Sequence, residues 1–503
     1  MDFLSLALST IAGAFSLLLL FKLSTKKLFN SSYPPAVGSI INEIINYRRL
    51  YDYHTDLCRN YRTYRLLYPW SSEIYTANPA NIEYFLKTNF SNYEKGRSNY
   101  EIMSDFLGDG IFTVDGDKWR QQRKLASYEF STKAVKDYSS HVFTKNAAAL
   151  AHKVSEIAAP NKVIDMQELL MKSTLDTIFI IGFGVELSSL LGAEENGKAF
   201  AEAFNETNAL IFWRYVDFLW KFKRFFNVGA EAKLKKSIQT IDELIYKVIH
   251  SKRKLISTQD HSNKADILSR FIALSEKEPE KITDKFLRDI IINFMTAGRD
   301  TTAVTLSWFL SMVCRNPQVE EKIVEEVRES VKQGNEEERV ETIEEFANSL
   351  TDAAMDKMPY LHAALSETLR LYPAVPLDGK WCVSDDTLPD GFKLRKGDGI
   401  LFPAYAMGRM TYLWGENAEE FRPERWLENG VFKHESPFKF TAFQGGLRMC
   451  LGREFAYRQM KITAAILLRF FRFRFKDENK KIKYRTMFTL HIDGGLQLLA
   501  FPR

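Results

Sequence analysis

Cys450 stands in a setting that asks for a chemical role. It belongs to the run Phe443-Gln-Gly445-Gly446-Leu-Arg448-Met-Cys450-Leu-Gly452, and an apolar stretch that reads as a helix follows from Phe455. A thiol just ahead of a helix N-terminus is drawn toward the thiolate by the helix dipole and by free backbone N–H groups. A thiolate is a metal ligand. Gly445, Gly446 and Gly452 remove side chains where the face of a flat macrocycle would have to approach, and Arg448 supplies a fixed cation suited to a carboxylate on such a ring. The other cysteines, Cys58, Cys314 and Cys382, make no CxxC pair and no zinc-ligand spacing. Nothing here reads as a disulfide framework, so a reducing compartment is expected for the bulk of the chain.

A second candidate lies within Thr283 to Cys314, which reads as one long helix ending before Asn316-Pro317. Phe286, Ile290, Ile291, Phe294, Met295, Val304, Leu306, Trp308 and Phe309 place apolar groups almost all round it, which implies burial through the core. In its middle stands Ala297-Gly298-Arg299-Asp300-Thr301-Thr302. A buried acid and alcohol are costly unless they have partners or work, and Gly298 with the threonines weakens the helix locally. An opening there could hold water and oxygen beside a cofactor, and a hydroxyl next to a carboxylate is proton-relay chemistry. Taken alone, paired threonines in a helix bond back to the i−4 carbonyls and bend it slightly.

Together these segments resemble the cytochrome P450 superfamily. The cysteine run matches the haem-binding signature FxxGxRxCxG at every fixed position, and AGRDTT matches AGx(D/E)TT. The resemblance implies the P450 fold and haem b (iron protoporphyrin IX), with Cys450 as the axial thiolate ligand of the iron, an arrangement that favours O–O cleavage. Phe443, Gly446 and Gly452 would surround that ligand, with Arg448 at a propionate. Thr301 would hydrogen-bond oxygen and Asp300 would help relay protons. Glu367-Thr-Leu-Arg370 puts two charges on one helix face, by itself a weak signal and usually a solvated pair. The resemblance joins them to Arg425 of Phe421-Arg-Pro-Glu-Arg425-Trp426 as a structural brace for the cysteine loop. Trp119 and Arg123, i and i+4 in a segment otherwise readable as a basic surface helix, resemble the family's WxxxR pair that contacts haem propionates. Their neighbours Arg120 and Lys124 are expected to face a redox partner.

The elements that must position these residues read as mainly α with small β-sheets. Asn78-Pro79 looks like an N-cap with proline at the first helical position. Most of Ser131 to Ser330 reads helical, as does Tyr360 to Leu371. Trp381 to Leu401 turns short and β-like around Pro389-Asp390-Gly391, and strands are expected over Tyr484 to Leu490 and Leu496 to Phe501, flanking Asp493-Gly494-Gly495. Gly182-Phe183-Gly184 is no dinucleotide-binding turn and reads as helix packing. At 503 residues and 45% apolar, with no internal repeat, the chain can bury one large core. Its net charge of +5 is dispersed, and no basic-aromatic stripe argues for nucleic acid.

Phe3 to Phe21 is an almost unbroken apolar run, long enough for a helix to cross a bilayer. Lys22, Lys26 and Lys27 follow it, which fits an uncleaved anchor with the body on the cytosolic side better than a cleaved signal peptide. The expected organisation is a membrane anchor over 1–29, a proline-rich hinge over 30–40 and a single haem-thiolate catalytic domain over 41–503, at the endoplasmic reticulum membrane and monomeric. On that reading the glycosylation triplets at Asn89 and Asn205 are accidental. Leu210 to Phe226 interleaves aromatic rings with basic heads, which suits a bilayer interface or a core-facing helix pair.

Haem and a proton relay imply a monooxygenase that inserts one atom of O2 into a C–H bond, with the other atom leaving as water. No flavin or nicotinamide domain is present, so electrons are expected from NADPH through a separate flavoprotein, NADPH–cytochrome P450 reductase. Segments 120–132, 297–309 and 404–427 resemble the long-chain fatty-acid ω-hydroxylases of plants, which implies ω-hydroxylation of a long-chain fatty acid. The loop 372–380 is a near relative of theirs but carries Leu377 and Gly379 where other residues are frequent, which leaves chain length and position of attack open. Phe106, Ile111, Phe112, Ala297, Val375, Pro376 and Leu377 are candidate pocket residues for an acyl chain. Lys380 reads as a surface lysine or, less readily, as an attractor of a carboxylate. The alternatives are in-chain or sterol-like hydroxylation by the same chemistry, a reductase-free peroxide rearrangement, and a non-catalytic haem or lipid sensor. The Asp300-Thr301 pair disfavours the last two.

Overall fold

The computed structural model describes residues 32–68, 71–159, 162–190, 195–258, 266–332, 342–479 and 481–503. The expected anchor over 1–29 lies outside them. Among the described residues no helix is long and apolar enough to cross a membrane. The chain forms two compact units: residues 1–96, 376–419 and 436–449, and residues 97–375, 420–435 and 450–503.

The first unit is built on a six-stranded sheet in the order Ala36–Ser39, Thr63–Leu67, Ser72–Thr76, Gly399–Phe402, Asp378–Cys382 and Tyr93–Glu94. The Ala36–Ser39 segment, within the expected hinge, is an edge strand parallel to Thr63–Leu67. Every side chain of Thr63–Leu67 and Gly399–Phe402 is buried. Such strands read as continuous rather than alternating sequence because both faces are covered. Tyr64, Ile74, Tyr75, Phe85, Ile400 and Phe402 form the heart of this unit's core. Asn78 caps the helix Pro79–Glu83 by accepting from the Ala80 N–H at 3.1 Å. The Pro389-Asp390-Gly391 turn is present, with Gly391 at φ +88° and its N–H bonded to Leu388 O.

The second unit is helical. Its main helices are Arg97–Leu107 (α1), Gly116–Ser131 (α2), Lys133–Ile157 (α3), Met166–Phe183 (α4), Glu195–Trp213 (α5), Ala230–Thr258 (α6), Asp284–Gly298 (α7), Asp300–Arg315 (α8), Pro317–Val331 (α9), Pro359–Leu371 (α10) and Arg453–Phe470 (α11). Helix α4 is almost wholly buried, its Gln167, Asp176 and Thr177 included, so it is a core helix, and α7 and α8 pack on it. A small sheet of Phe471–Phe475, Gln497–Pro502 and Ile164–Asp165 completes the unit.

Three local expectations are corrected. Thr283 to Cys314 is two helices joined at Arg299 rather than one. Tyr484 to Leu490 is no strand: it makes a single bridge, Tyr484 to Ile492, because Leu490 spends its backbone N–H on Ala374 O and its carbonyl on the Trp308 indole. Of the two glycines read as helix packing, Gly182 has no such role, since a Cβ there would touch nothing, whereas Gly184 is the left-handed cap of α4, at φ +63°, and is close-packed as well, since a Cβ there would lie 2.6 Å from Lys252 Nζ.

Candidate active site

The cysteine loop ends in a 3-10 turn over Gly446–Arg448, and α11 starts at Arg453. Cys450, between them, is a free cysteine that keeps solvent-accessible surface. Burial pushes its thiol up, while the Gly452 N–H and the cations of Arg123 and Arg453 pull the other way. A sulfur that can be reached, facing an N–H donor and two arginines, fits a thiolate ligand to haem iron. The loop glycines serve different ends. A Cβ on Gly446, at φ +60°, would lie 2.0 Å from Leu86 O, and one on Gly445 would lie 2.8 Å from the Phe438 ring. Both therefore permit protein packing. Gly452 is the one beside the sulfur: a Cβ there would sit 3.9 Å from Cys450 Sγ.

In the first unit, Gln444 takes up a left-handed backbone at φ +62°, a conformation that strains a residue with a side chain, and its amide donates to Asp378. Burial raises the Asp378 carboxyl, but Lys95, Lys380 and the Gly379 N–H outweigh it and bring it to about 2. Lys380 is wholly buried, so the surface-lysine reading is corrected. Phe443 is half-buried in the turn Thr441–Phe443, and the Arg448 guanidinium lies 6.0 Å from the Phe90 ring centre.

In the second unit, four rings fix the helices that carry the remaining chemistry. Phe455 of α11 meets Phe143 of α3 edge-on at 4.6 Å and Phe130 of α2 at 5.9 Å, and Phe130 meets Phe294 of α7 at 5.3 Å. Edge-to-face pairs add about 0.5–1.5 kcal/mol each beyond their burial, so α2, α7 and the start of α11 are held in one arrangement. On α2, Trp119 is buried and Arg123 half-buried, and the guanidinium lies 6.0 Å from the indole centre. Arg120 and Lys124 point to solvent. The electrostatic coupling of Arg123 to Cys450 operates in both directions, which places the WxxxR arginine in the field of the thiol. The four-ring cluster was not legible in the sequence, since nothing in the spacing of these phenylalanines says which of them meet.

At the junction of α7 and α8, Phe294, Ala297 and Thr301 lie at i, i+3 and i+7 and keep accessible surface, as do their neighbours Thr296 and Gly298. Thr301 donates its hydroxyl to Ala297 O at 2.5 Å, so the back-bonded arrangement is the one observed. Gly298 is needed for a different contact: a Cβ there would lie 2.9 Å from Ile178 of α4. Asp300 is buried and paired with Arg299 at 3.1 Å. Burial opposes its ionisation, yet Arg299 and His491 together hold its carboxyl below the usual range.

The brace is wholly interior. Glu367 and Arg370 are 0% exposed at the side chain, which corrects the solvated-pair reading. Arg370 grips the carboxylate with Nε and Nη2 at 2.7 and 2.8 Å. Arg425 Nε reaches it at 3.3 Å, the Arg422 backbone N–H at 2.9 Å and the Trp426 indole N–H at 2.9 Å. The last two partners were not singled out from sequence, although Trp426 follows directly on Arg425.

Among the candidate pocket residues, Ile111 lines a small cleft with Gln122, Ala126, Ile290, Asn293 and Phe294. Phe112 is half-buried and gives its N–H to Asn293 Oδ1 at 3.3 Å. Phe106 is instead a core residue, 2% exposed and edge-on to Phe204. Val375 is exposed in the second unit, whereas Pro376 is buried in the first and Leu377 packs against that unit's core. Two residues missed by sequence reasoning hold the loop before α2 against α7. Asp289 accepts the Asp109 N–H at 3.0 Å, and Asn293 donates to Leu107 O at 2.8 Å. Their signal was present: polar side chains at i and i+4 of an apolar helix.

The matches to known proteins agree with this chemistry. The family model for cytochrome P450 matches residues 34–498. The chain belongs to the cytochrome P450 family. It is 53% identical over 480 residues to "Cytochrome P450 704C1" of Pinus taeda, covering 94% of this chain and 92% of that protein. It is 43% identical over 494 residues to "Cytochrome P450 704B1" of Arabidopsis thaliana, covering 93% and 94%, and 39% identical over 467 residues to "Cytochrome P450 86B1" of the same plant, covering 90% and 82%. This P450 is a haem-iron monooxygenase, and its family works on lipophilic substrates with a redox partner.

Proposed function

We propose that this P450 hydroxylates the terminal carbon of a long-chain fatty acid. The observation that carries the reading is the uncovered stripe Phe294-Ala297-Thr301, hydrocarbon up to a single hydroxyl, with Ile111 and Phe294 in one cleft beside it. Such a lining, apolar apart from the Gln122 and Asn293 amides of the cleft, suits an acyl chain. Haem b, held by the Cys450 thiolate with Trp119 and Arg123 toward its propionates, would supply the activation of O2, and the motif's Arg448 keeps the role that the resemblance gives it. The chain's own residues do the rest: Thr301 turns its hydroxyl from Ala297 O toward oxygen, and Asp300 holds and passes the protons. A methyl end is harder to attack than the next carbon inward, so selectivity calls for a lining that admits only the chain end. The resemblance of segments 120–132, 297–309 and 404–427 to plant ω-hydroxylases supports this choice of substrate.

In the same reading, residues 1–29 anchor the protein at the endoplasmic reticulum membrane, with the body in the cytosol. NADPH–cytochrome P450 reductase delivers the electrons, and Arg120 and Lys124 belong to its docking face. The exposed Phe218, Phe222, Phe225 and Phe226 beside Lys221 and Arg224 support a second contact with the bilayer surface. Not every basic group of that stretch takes part, because Arg214 is buried against Glu231 and Asp105. Incubation of the enzyme, the reductase and NADPH with a panel of long-chain saturated acids tests the proposal. Mainly ω-alcohols are expected; oxidation of aromatic or steroidal compounds alone would refute it.

A further inference from the structure

The Asp300 carboxylate has two unlike sides. Oδ1 is held by Arg299 Nη1 at 3.1 Å, and the same nitrogen donates to Asn205 Oδ1 of α5 at 2.7 Å. Oδ2 faces His491, whose Nε2 lies 3.7 Å away. Charge is felt at that distance, but no hydrogen bond is formed. His491 Nε2 is buried and has no hydrogen-bond partner among the described residues, while the imidazole keeps 15% of its surface. The ring is presented firmly. On one side Leu490 is pinned by Ala374 O and the Trp308 indole of α8. On the other, Ile492 exchanges two hydrogen bonds with the Gln167 side chain of α4.

A carboxylate beside arginine is a poor proton store, because the guanidinium stays charged at any working pH and favours the ionised acid. A relay through Asp300 then needs a donor on its other side. Imidazole changes charge near neutrality, and here it stands beside the buried oxygen while 15% of its side-chain surface stays accessible. We propose that His491 is a positioning residue that supplies protons to Asp300 from solvent. The His491 Nε2–H bond breaks as the Asp300 Oδ2–H bond forms, and the imidazole regains its proton from water at its exposed edge. The charged groups around it are Arg299 and Asp300 at the junction of α7 and α8, and Lys483, Arg485 and Asp493 on its own hairpin. Gln167, Trp308 and Ala374 bring no charge. This inference rests on the reading of Asp300 as the relay acid.

The test uses the full-length haem protein and two readouts. In the diamagnetic ferrous carbon-monoxide form with 15N-labelled histidine, the His491 signal is identified by its loss in His491→Gln. Its ring nitrogen shifts, compared at one fixed pH, are expected to move in Asp300→Asn, when the facing charge is removed. Unmoved ring nitrogens overturn the inference. In turnover with reductase, product formed per NADPH in the wild type should decline as pH rises, because only the protonated ring donates. His491→Gln should be lower and flat. If His491→Gln follows the wild-type profile, the inference is overturned. The two readings separate through Asp300→Asn: no loss of product per NADPH there refutes the relay itself, whereas a loss there with an unaltered His491→Gln refutes only the role of His491. Should His491→Gln fail to load haem, His491→Asn takes its place in both measurements.

Discussion

The Trp426 indole N–H donates to Glu367 Oε2 at 2.9 Å, within the fully buried ion pair of Glu367 and Arg370. One carboxylate thereby collects a bidentate arginine, a second arginine, a backbone N–H and an indole. Removing one member of a buried pair leaves the other charged and unpaired, which costs about 3–5 kcal/mol. Glu367→Gln is therefore expected to lose most haem incorporation, read as the carbon-monoxide difference band, and to unfold at a clearly lower temperature. Trp426→Phe keeps a ring in place and removes one charge-assisted bond, so a loss of about 1.5–3 kcal/mol is expected in chemical denaturation. Equal stability of Trp426→Phe and wild type would show that the indole bond carries no load.

Thr301 makes a sharper chemical prediction, because its hydroxyl is back-bonded to Ala297 O and must turn to serve. Thr301→Ala is expected to keep consuming NADPH while product per NADPH falls about a hundredfold, the lower end of what a lost proton-transfer group costs, with peroxide accounting for the difference. Thr301→Ser retains the hydroxyl and should stay near wild type. Full coupling in Thr301→Ala would remove the residue from the relay.

The pH dependence of stability should carry a mark of the first unit. Burial and the nearby charge of Glu43 raise Glu73 to about 7; Tyr75 donates to both carboxylates, and His54 faces Glu43. A raised carboxyl binds a proton in the folded state that the unfolded chain has already released. Its contribution is unfavourable above the unfolded value and grows until pH passes the folded one. Between about pH 4.5 and 7 stability should therefore decline with rising pH, by at most about 1.4 kcal/mol per unit from this group. Glu73→Gln should flatten that slope and be the more stable protein at pH 8. Denaturation midpoints taken across the range decide it; a slope unchanged in Glu73→Gln would exclude Glu73 as its source.

What the sequence showed was chemistry carried by short, fixed spacing. Cys450 with Arg448 and the glycines, Asp300-Thr301, Glu367 with Arg370, and Trp119 with Arg123 can each be read because local geometry fixes their relation. The weakness of the helix at Gly298 was legible too, though its completion as a break at Arg299 was not. Hidden were the partners met only across long stretches of chain: Trp426 on Glu367, Phe455 against Phe130 and Phe143, His491 opposite Asp300. Tyr484 to Leu490 shows the same limit. Its pattern suits a strand, but Ala374 and Trp308 take the backbone groups that a ladder would have used.

The loop before α2 allows a last prediction about specificity rather than chemistry. Gly108 and Gly110 let it lie directly on α7. A Cβ on Gly108, at φ +58°, would fall 2.0 Å from Asp289, and one on Gly110 would fall 1.8 Å from Asn293 Nδ2. Asn293 answers with bonds to Leu107 O and from the Phe112 N–H, and Ile111 is thereby set in the cleft with Phe294. Gly110→Ala must push the loop off the helix, since the obstructing amide is itself held at both ends. Asn293→Ala removes the hold without a clash and leaves Leu107 O and the Phe112 N–H to find water, at about 1–3 kcal/mol. Neither change touches Cys450, Arg123 or the brace, so both proteins should keep the thiolate carbon-monoxide band. Both should widen the space beside Thr301 and admit more of the chain than its end. With a saturated fatty acid, the products are expected to spread from the terminal carbon to neighbouring positions, more in Gly110→Ala than in Asn293→Ala. Unchanged regiochemistry in both would mean that another segment sets the position of attack.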